Sequence, residues 1–464
     1  MIAFICVLLS SAGFYLSVGL GSHWWLAWIA PVPVLWYAFG EARLWKAFVA
    51  SWVAFALGAT NFLPVYAGVL PFPVLGVGIV EVALIFALAV VGARRVLRRH
   101  GAIAGLLAFA AGWTALDLVG SFGATGSLMS PSIAEAGAPL LIQGASLVGF
   151  LGITFLLGIV AAGLAISARS RALAPAALAL GIFAANAGFG FFRVSAPSTN
   201  RLKVALVESD AAMVGNPKDE KRTRAVVGAY AEQVERLRDD HVQLIVLPEN
   251  ISSVAPAWRN EIEARLAAAA DAAGGTVVAG FNLGVDGAQR NVALAFVPKT
   301  KTPVVYAKRC LIPVLETSMY APGAGPRVLP SGVGLEICKD MDFQTMIRRD
   351  EAETQPQLLA VPAWDFGQDA WFHCRSAILR SVESGVPMAR NARRGLLTLN
   401  DRYGRVVAQA KTSAGFTTLI ADLPLDGRGG GTLYDRIGDS FGWLCIVLGA
   451  GLIVSSFLRP VGAD

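Results

Sequence analysis

The chain has 464 residues, 55% of them hydrophobic and 16% charged, with a net charge of +6. Its mean hydropathy of +0.56 is too high for one ordinary soluble protein. That composition excludes a disordered chain, and the basic excess forms no stripe with interleaved aromatics, which argues against nucleic acid as a partner.

The charge is unevenly placed: the first 200 residues carry 13 charged side chains and residues 201–438 carry 56. The first region is therefore read as membrane and the second as a water-soluble domain. Apolar stretches fall at 2–20, 24–39, 47–67, 72–93, 102–120, 140–167, 172–192 and 441–457. A bilayer takes roughly 20 residues of helix to cross. Stretch 24–39 is short and interrupted by Pro31 and Pro33; crossing is preferred to a re-entrant segment. The first stretch has no basic residues ahead of it, so it reads as a retained helix rather than a cleaved signal. The expectation is a polytopic α-helical membrane domain of about eight helices, seven in 1–192 and one at 441–457.

Short loops predict the orientation. Arg43, Lys46, Arg94, Arg95, Arg98, Arg99, Arg169, Arg171 and Arg459 all fall on one side, against Arg193 on the other. Lys/Arg-rich loops stay in the cytoplasm, so both termini are expected there and residues 193–440 outside. Glu81, Asp117 and Glu135 lie within apolar stretches without a basic partner, which suits satisfied interior or interfacial acids better than an ion relay. Trp24, Trp25, Trp28 and Trp36 fit an interfacial belt.

From residue 201 the hydrophobic period changes. Strands are predicted at Leu202–Val207, Val242–Leu247, Thr276–Gly280, Val292–Val297, Val304–Ala307, Val333–Cys338 and Leu358–Pro362. Four more follow at Met388–Asn391, Leu396–Leu399, Val406–Gln409 and Thr417–Ala421, with helices at Asp219–Asp239, Arg259–Ala273 and Gln368–Ser384. Alternation of this kind implies a layered α/β sandwich with mixed sheets.

Three polar residues stand at predicted strand ends, where α/β sheets place chemistry: Glu249 in Leu-Pro-Glu-Asn, Lys308 in Tyr-Ala-Lys, and Cys338 after Gly-Leu-Glu-Ile. A carboxylate to take a proton, an ammonium to hold an oxyanion and a thiol to attack suffice for acyl transfer. Each alone would more often be a cap, a surface lysine or a buried cysteine. Five scattered cysteines make no disulfide framework, and histidines at 23, 100, 241 and 373 show no zinc-ligand spacing, so no metal is expected.

At these residues the chain resembles the nitrilase superfamily, whose catalytic order is Glu–Lys–Cys, over most of 201–424. Pro362-Ala363-Trp364, Arg380–Glu383, Asn391 and Gly395 extend the likeness. The layout of seven helices, an outer domain and a final helix is similar to one branch, the apolipoprotein N-acyltransferases. Glu316, eight residues after Lys308, and Asp340, two after Cys338, sit where that branch has supporting acids, with Phe343 at its aromatic position. Departures are Lys339 in place of an aromatic, Pro313-Val314-Leu315-Glu316 in place of Pro-Phe-Gly-Glu, Val207-Glu208-Ser209-Asp210 without a nearby Trp, and Gly120–Gly126 without the aromatic loop.

The resemblance implies an αββα nitrilase-like domain on the periplasmic side of a bacterial inner membrane, and no cofactor. It implies a phospholipid acyl donor, a Cys338 thioester, and transfer to the N-terminal amine of a diacylglyceryl-cysteine lipoprotein. Glu249 would act as base and Lys308 at the oxyanion. A related N-acyltransferase with another amine acceptor, a membrane-anchored amidohydrolase, and a transporter or scaffold with an inactive domain are the alternatives. Cys310 is expected to be structural, a pair with Cys374 being open to it outside the cytoplasm, and His373 structural too. Alkaline phosphatase, active only outside the cytoplasm, should work when fused at Gly429 and be silent at Arg99; the reverse pattern would refute the orientation.

Overall fold

Apolar runs of this length become helices because a backbone surrounded by nonpolar groups must satisfy its own hydrogen bonds. In a computed structural model, which describes residues 1–196, 198, 200–211, 219–425 and 431–458, six helices are long and apolar enough to cross a membrane. They are Leu44–Tyr66, Phe72–His100, Ala102–Ser121, Phe150–Ser170, Ala174–Val194 and Ser440–Leu458. Ile2–Ser17 is a shorter apolar helix of 16 residues. The last helix belongs to the same unit as the first ones, Met1–Ala196 with Thr432–Asp464, and Pro197–Gly431 forms a second unit. Arg459, counted in the loop charges, lies outside the described residues.

The expected helix at 24–39 is corrected. Trp24–Trp28 is a single 3-10 turn, and the α-helix begins only at Val32 and ends at Gly40. Pro31 and Pro33 offer no N–H to a helix running through them. Nine residues rise about 14 Å, half of what a crossing needs. Stretch 140–167 becomes continuous helix only from Phe150.

Two of the three acids within apolar stretches, Asp117 and Glu135, have hydrogen-bond partners. Asp117 Oδ2 accepts from Ser130 Oγ at 2.7 Å and Thr154 Oγ1 at 2.6 Å, and Glu135 Oε2 accepts from Trp28 Nε1 at 2.9 Å. Trp28 is therefore a buried partner rather than a belt residue.

The second unit is built on period-2 alternation. Its strands are β1 (Arg201–Ser209), β2 (Leu244–Val246), β3 (Ser252–Val254), β4 (Thr276–Val285), β5 (Ala288–Phe296), β6 (Val304–Ala307) and β7 (Arg327–Val328). Then come β8 (Val333–Leu335), β9 (Leu358–Trp364), β10 (Met388–Arg393), β11 (Leu396–Asn400), β12 (Val406–Lys411) and β13 (Phe416–Pro424). One sheet runs β13-β1-β2-β4-β5-β6 with β3 on β4; the other runs β12-β11-β10-β9-β8-β7. Each is parallel at its centre, β1-β2-β4 and β8-β9-β10, and antiparallel at its flanks.

Successive side chains of one strand enter different cores. Ala205 and Val207 of β1, and Val277 and Ala279 of β4, pack with helices Glu220–Glu235 and Arg259–Ala273. Val204, Leu206 and Val278 face the other sheet, meeting Leu358, Ala360, Ala389 and Leu397. Leu359, Val361 and Met388 turn outward onto Ile347 and Ala377 of helices Gln344–Thr354 and Ala370–Ser384. The result is an αββα sandwich. Strands β3 and β7 and helix Gln344–Thr354 were not anticipated. Two- and three-residue strands carry too little pattern to read, and the helix is polar along most of its length.

Asn391 ties the sheets together. From β10 its Nδ2 donates to Val207 O at 2.8 Å and Val246 O at 2.6 Å, two carbonyls of the facing sheet. Asn391→Ala should lower stability by about 1–3 kcal/mol, since both acceptors lose their buried donor; a thermal melt of the detergent-purified chain checks it.

Candidate functional site

Strand ends bring the three candidate residues to one edge of the sandwich. Glu249 follows β2, Lys308 directly follows β6, and Cys338 lies three residues past β8. Gly280 on β4 makes the first placement possible, because a Cβ there would lie 2.5 Å from Glu249 Cα.

Lys308 is buried at 1% exposure. Its Nζ donates to Glu249 Oε1 and to Glu316 Oε1, each at 2.9 Å. Asn291 on β5 donates to the same two oxygens, at 2.7 and 3.2 Å. Sequence reading missed Asn291; its signal was an amide at the start of an otherwise apolar run, Val292–Phe296. Glu316 also accepts from Ile312 N through Oε2 at 2.8 Å. It therefore holds both the lysine and the loop between them.

Burial opposes the Lys308 ammonium, but the two carboxylates more than reverse this and hold its pKa well above the usual lysine value. Burial raises the Glu249 carboxyl, with Lys308 and Asn291 pulling against it. The site is thus a buried ammonium held between two carboxyl groups.

Cys338 differs from the expected strand residue. The strand ends at Leu335, and Cys338 opens a 3-10 turn, Cys338–Asp342, with φ of +43°. A non-glycine residue rarely adopts this left-handed conformation, and strain of this kind concentrates where a side chain must be presented in one direction. Its Sγ donates to Trp364 O at 3.7 Å. Burial first, then the charge of Glu249, push the thiol pKa well up, while Lys308 draws it down.

Asp340 staples the segment after Lys308 to the turn after Cys338. Its Oδ1 accepts from Cys310 N at 2.8 Å and Arg309 N at 3.2 Å; its Oδ2 accepts from Tyr306 Oη at 2.7 Å and Ile337 N at 3.1 Å. The two strand ends are therefore held at a common register by one carboxylate. Beneath it Glu336 is paired with Arg309 at 2.9 Å, and burial raises its pKa to about 8.

The remaining candidates lie beside the site. Lys339, in the aromatic position, is occupied by Asp342 at 3.7 Å and by the Phe343 ring at 5.2 Å. Cys310 and Cys374 are both free thiols; their nearest recorded sulfur and hydroxyl partners are Met346 and Thr398, so the open pairing is not realised. His373 contacts Asp369 at 3.2 Å. No group of three metal-ligating side chains occurs among the described residues.

The sign of the Cys338 shift makes a prediction. Glu249→Gln removes a charge that disfavours the thiolate, so alkylation of Cys338 should move to lower pH. Peptide-resolved labelling with iodoacetamide across a pH series measures this, and an unmoved midpoint would show that the two groups do not interact.

Residues 10–163 match a family model described as the apolipoprotein N-acyltransferase N-terminal domain. Two curated relatives carry the name apolipoprotein N-acyltransferase. The one from Geobacter metallireducens is 26% identical over 155 residues, 30% of this chain and 27% of that protein. The one from Thermotoga maritima is 28% identical over 176 residues, 35% of this chain and 33% of that protein. The chain thus matches about a quarter to a third of the length of these relatives. Solved structures similar to it include a carbon-nitrogen hydrolase from Helicobacter pylori G27, with a TM-score of 0.40, 19% identity, and 48% of this chain and 89% of that one covered. Another is Saccharomyces cerevisiae Nit3, with a TM-score of 0.41, 19% identity, and 52% and 94% covered. The chain resembles the apolipoprotein N-acyltransferases. The family match lies in its helical region, whose layout had entered the resemblance, whereas the Glu–Lys–Cys motifs lie between residues 247 and 395.

Proposed function

We propose that this chain is a membrane N-acyltransferase of the apolipoprotein N-acyltransferase type, acting through a Cys338 thioester. The observation that carries the reading is the buried Lys308 ammonium, held between Glu249 and Glu316 and electrostatically coupled to a strained Cys338.

Glu249 takes the thiol proton as Sγ attacks the ester carbonyl of a phospholipid, the proposed donor. Lys308 faces the negative charge that develops on the carbonyl oxygen. The C–O bond then breaks, and the lysophospholipid leaves with the proton from Glu249. The amine of a diacylglyceryl-cysteine peptide attacks the thioester and gives a proton to Glu249; the C–S bond breaks, and Glu249 returns that proton to the departing sulfur, leaving an amide and the free thiol. Asn291, Glu316 and Asp340 hold this arrangement without needing to touch substrate.

Two features suit an acyl substrate. The loop that carries Glu316 exposes Val314 at 61%, Leu315 at 37% and Met319 at 53%, an apolar tip a few residues from the site. A crossing region of several helices exceeds what tethering a hydrolase requires, but serves substrates that arrive from the bilayer. On this reading the protein is a multi-pass inner-membrane protein with the sandwich in the periplasm and both termini in the cytoplasm.

The chain incubated with phospholipid should gain the mass of one acyl chain on the Cys338 peptide, released by neutral hydroxylamine. Cys338→Ser should abolish it, Glu249→Gln should block it in a folded protein, and Lys308→Met should slow it by about 3 kcal/mol in barrier. Substituting Cys310 should change little. An undiminished adduct in Cys338→Ser would overturn the assignment.

A further inference from the structure

A second buried ion pair lies next to Cys338 and has no part in the chemistry above. Arg390 on β10 is 2% exposed and Asp365, just past β9, is fully buried. They meet at two points: Nη1 to Oδ2 at 3.0 Å and Nη2 to Oδ1 at 2.5 Å. Arg390 Nη1 also reaches Cys374 Sγ at 3.5 Å. The main chain repeats the link, since Asp365 N donates to Arg393 O at 2.9 Å. Space for the carboxylate comes from Gly395, where a Cβ would lie 2.3 Å from Asp365 Oδ2.

What this pair fixes is the residue before Asp365. Trp364 supplies the carbonyl that accepts the Cys338 thiol. Trp364 is also stacked by Arg393 at 4.7 Å, so the end of β9 is gripped from β10 on both faces. A buried pair of charges is a costly way to gain stability alone, because apolar residues of similar volume do as well. It does set geometry, since a guanidinium and a carboxylate joined at two points have one mutual orientation. We propose that Arg390 and Asp365 are positioning residues for Cys338: their two-point pair pins the Trp364–Asp365 turn and thereby holds the thiol at the strand end in one orientation.

The inference rests on Cys338 being the nucleophile of the proposed function. Charge reinforces it, since Arg390 favours the Cys338 thiolate more than Asp365 opposes it. The other groups facing the thiol or this pair are Glu249, Lys308, Cys374, Asp369 and His373, with Glu316 behind Lys308.

The test uses the full chain in detergent and needs no acyl donor. Iodoacetamide labelling of Cys338 is followed by peptide mass over a pH series, beside a thermal melt. Arg390→Met/Asp365→Asn removes both charges together, so neither is left buried alone. It should fold, lose roughly tenfold of its Cys338 labelling rate at neutral pH, and show a midpoint at higher pH. Arg390→Lys, which keeps the charge but not the fork, should restore most of the midpoint and only part of the rate. Gly395→Ala, which presses on the carboxylate, should lower the rate in a folded protein. Native-like labelling in a folded double variant would overturn the proposal. Failure of all three variants to fold would assign the pair to the fold and overturn it equally. If the native chain labels as expected but forms no acyl adduct, the phospholipid donor of the proposed function fails, whereas the positioning of the Cys338 thiol is judged by the labelling of the variants alone.

Discussion

A lysine ammonium at 1% exposure, with two carboxylates each at 2.9 Å, is the constraint around which the second unit is organised. A buried charge removed from water is tolerated only with partners in good geometry. Supplying them takes one acid from the end of β2, one from a loop after β6, and an amide from β5. The two acids must arrive within hydrogen-bond reach of the same nitrogen, and the amide within reach of their oxygens. Several local features follow from that demand: Gly280 admits the Glu249 backbone, Glu316 folds its loop back through Ile312 N, and Asp340 binds the Lys308 segment to the Cys338 turn.

The same arrangement accounts for the thiol. Cys338 is not an activated thiolate at rest, because burial and Glu249 both raise its pKa. General-base chemistry suits such a thiol, since attack and proton removal then occur together and only when a carbonyl is present. Its left-handed backbone turns the side chain out of the strand direction, an arrangement that suits the nucleophile proposed for it, as strained strand-to-helix turns present the serine of other enzymes.

Much of this was legible from residues alone, for identifiable reasons. Strands β1, β4, β5 and β10 announced themselves because each sends alternate side chains into two apolar cores. Lys308 and Glu249 stood out because they directly follow such runs. Cys338 was placed on a strand because Val333, Leu335 and Ile337 keep the period-2 alternation up to it; only three-dimensional context makes the chain leave the sheet at Leu335. The segment at 24–39 was misjudged because hydropathy counts apolar residues and not missing N–H donors, whereas Pro31 and Pro33 delay the helix to Val32. Arg390 and Asp365 could not be read at all, and Asn291 showed only as an amide at the start of an apolar run. Their significance lies in partners 25 to 42 residues away, which no local pattern carries.

The account's central claim is that the group held on Cys338 is passed to an amine. The most direct measurement loads the chain with phospholipid, removes excess donor, and adds either a diacylglyceryl-cysteine peptide or buffer alone. Transfer predicts that the Cys338 adduct disappears on adding peptide and that the peptide gains the mass lost, while the adduct persists in buffer. Release at the same rate in buffer, with free fatty acid and no acylated peptide, would contradict it and make the chain a hydrolase.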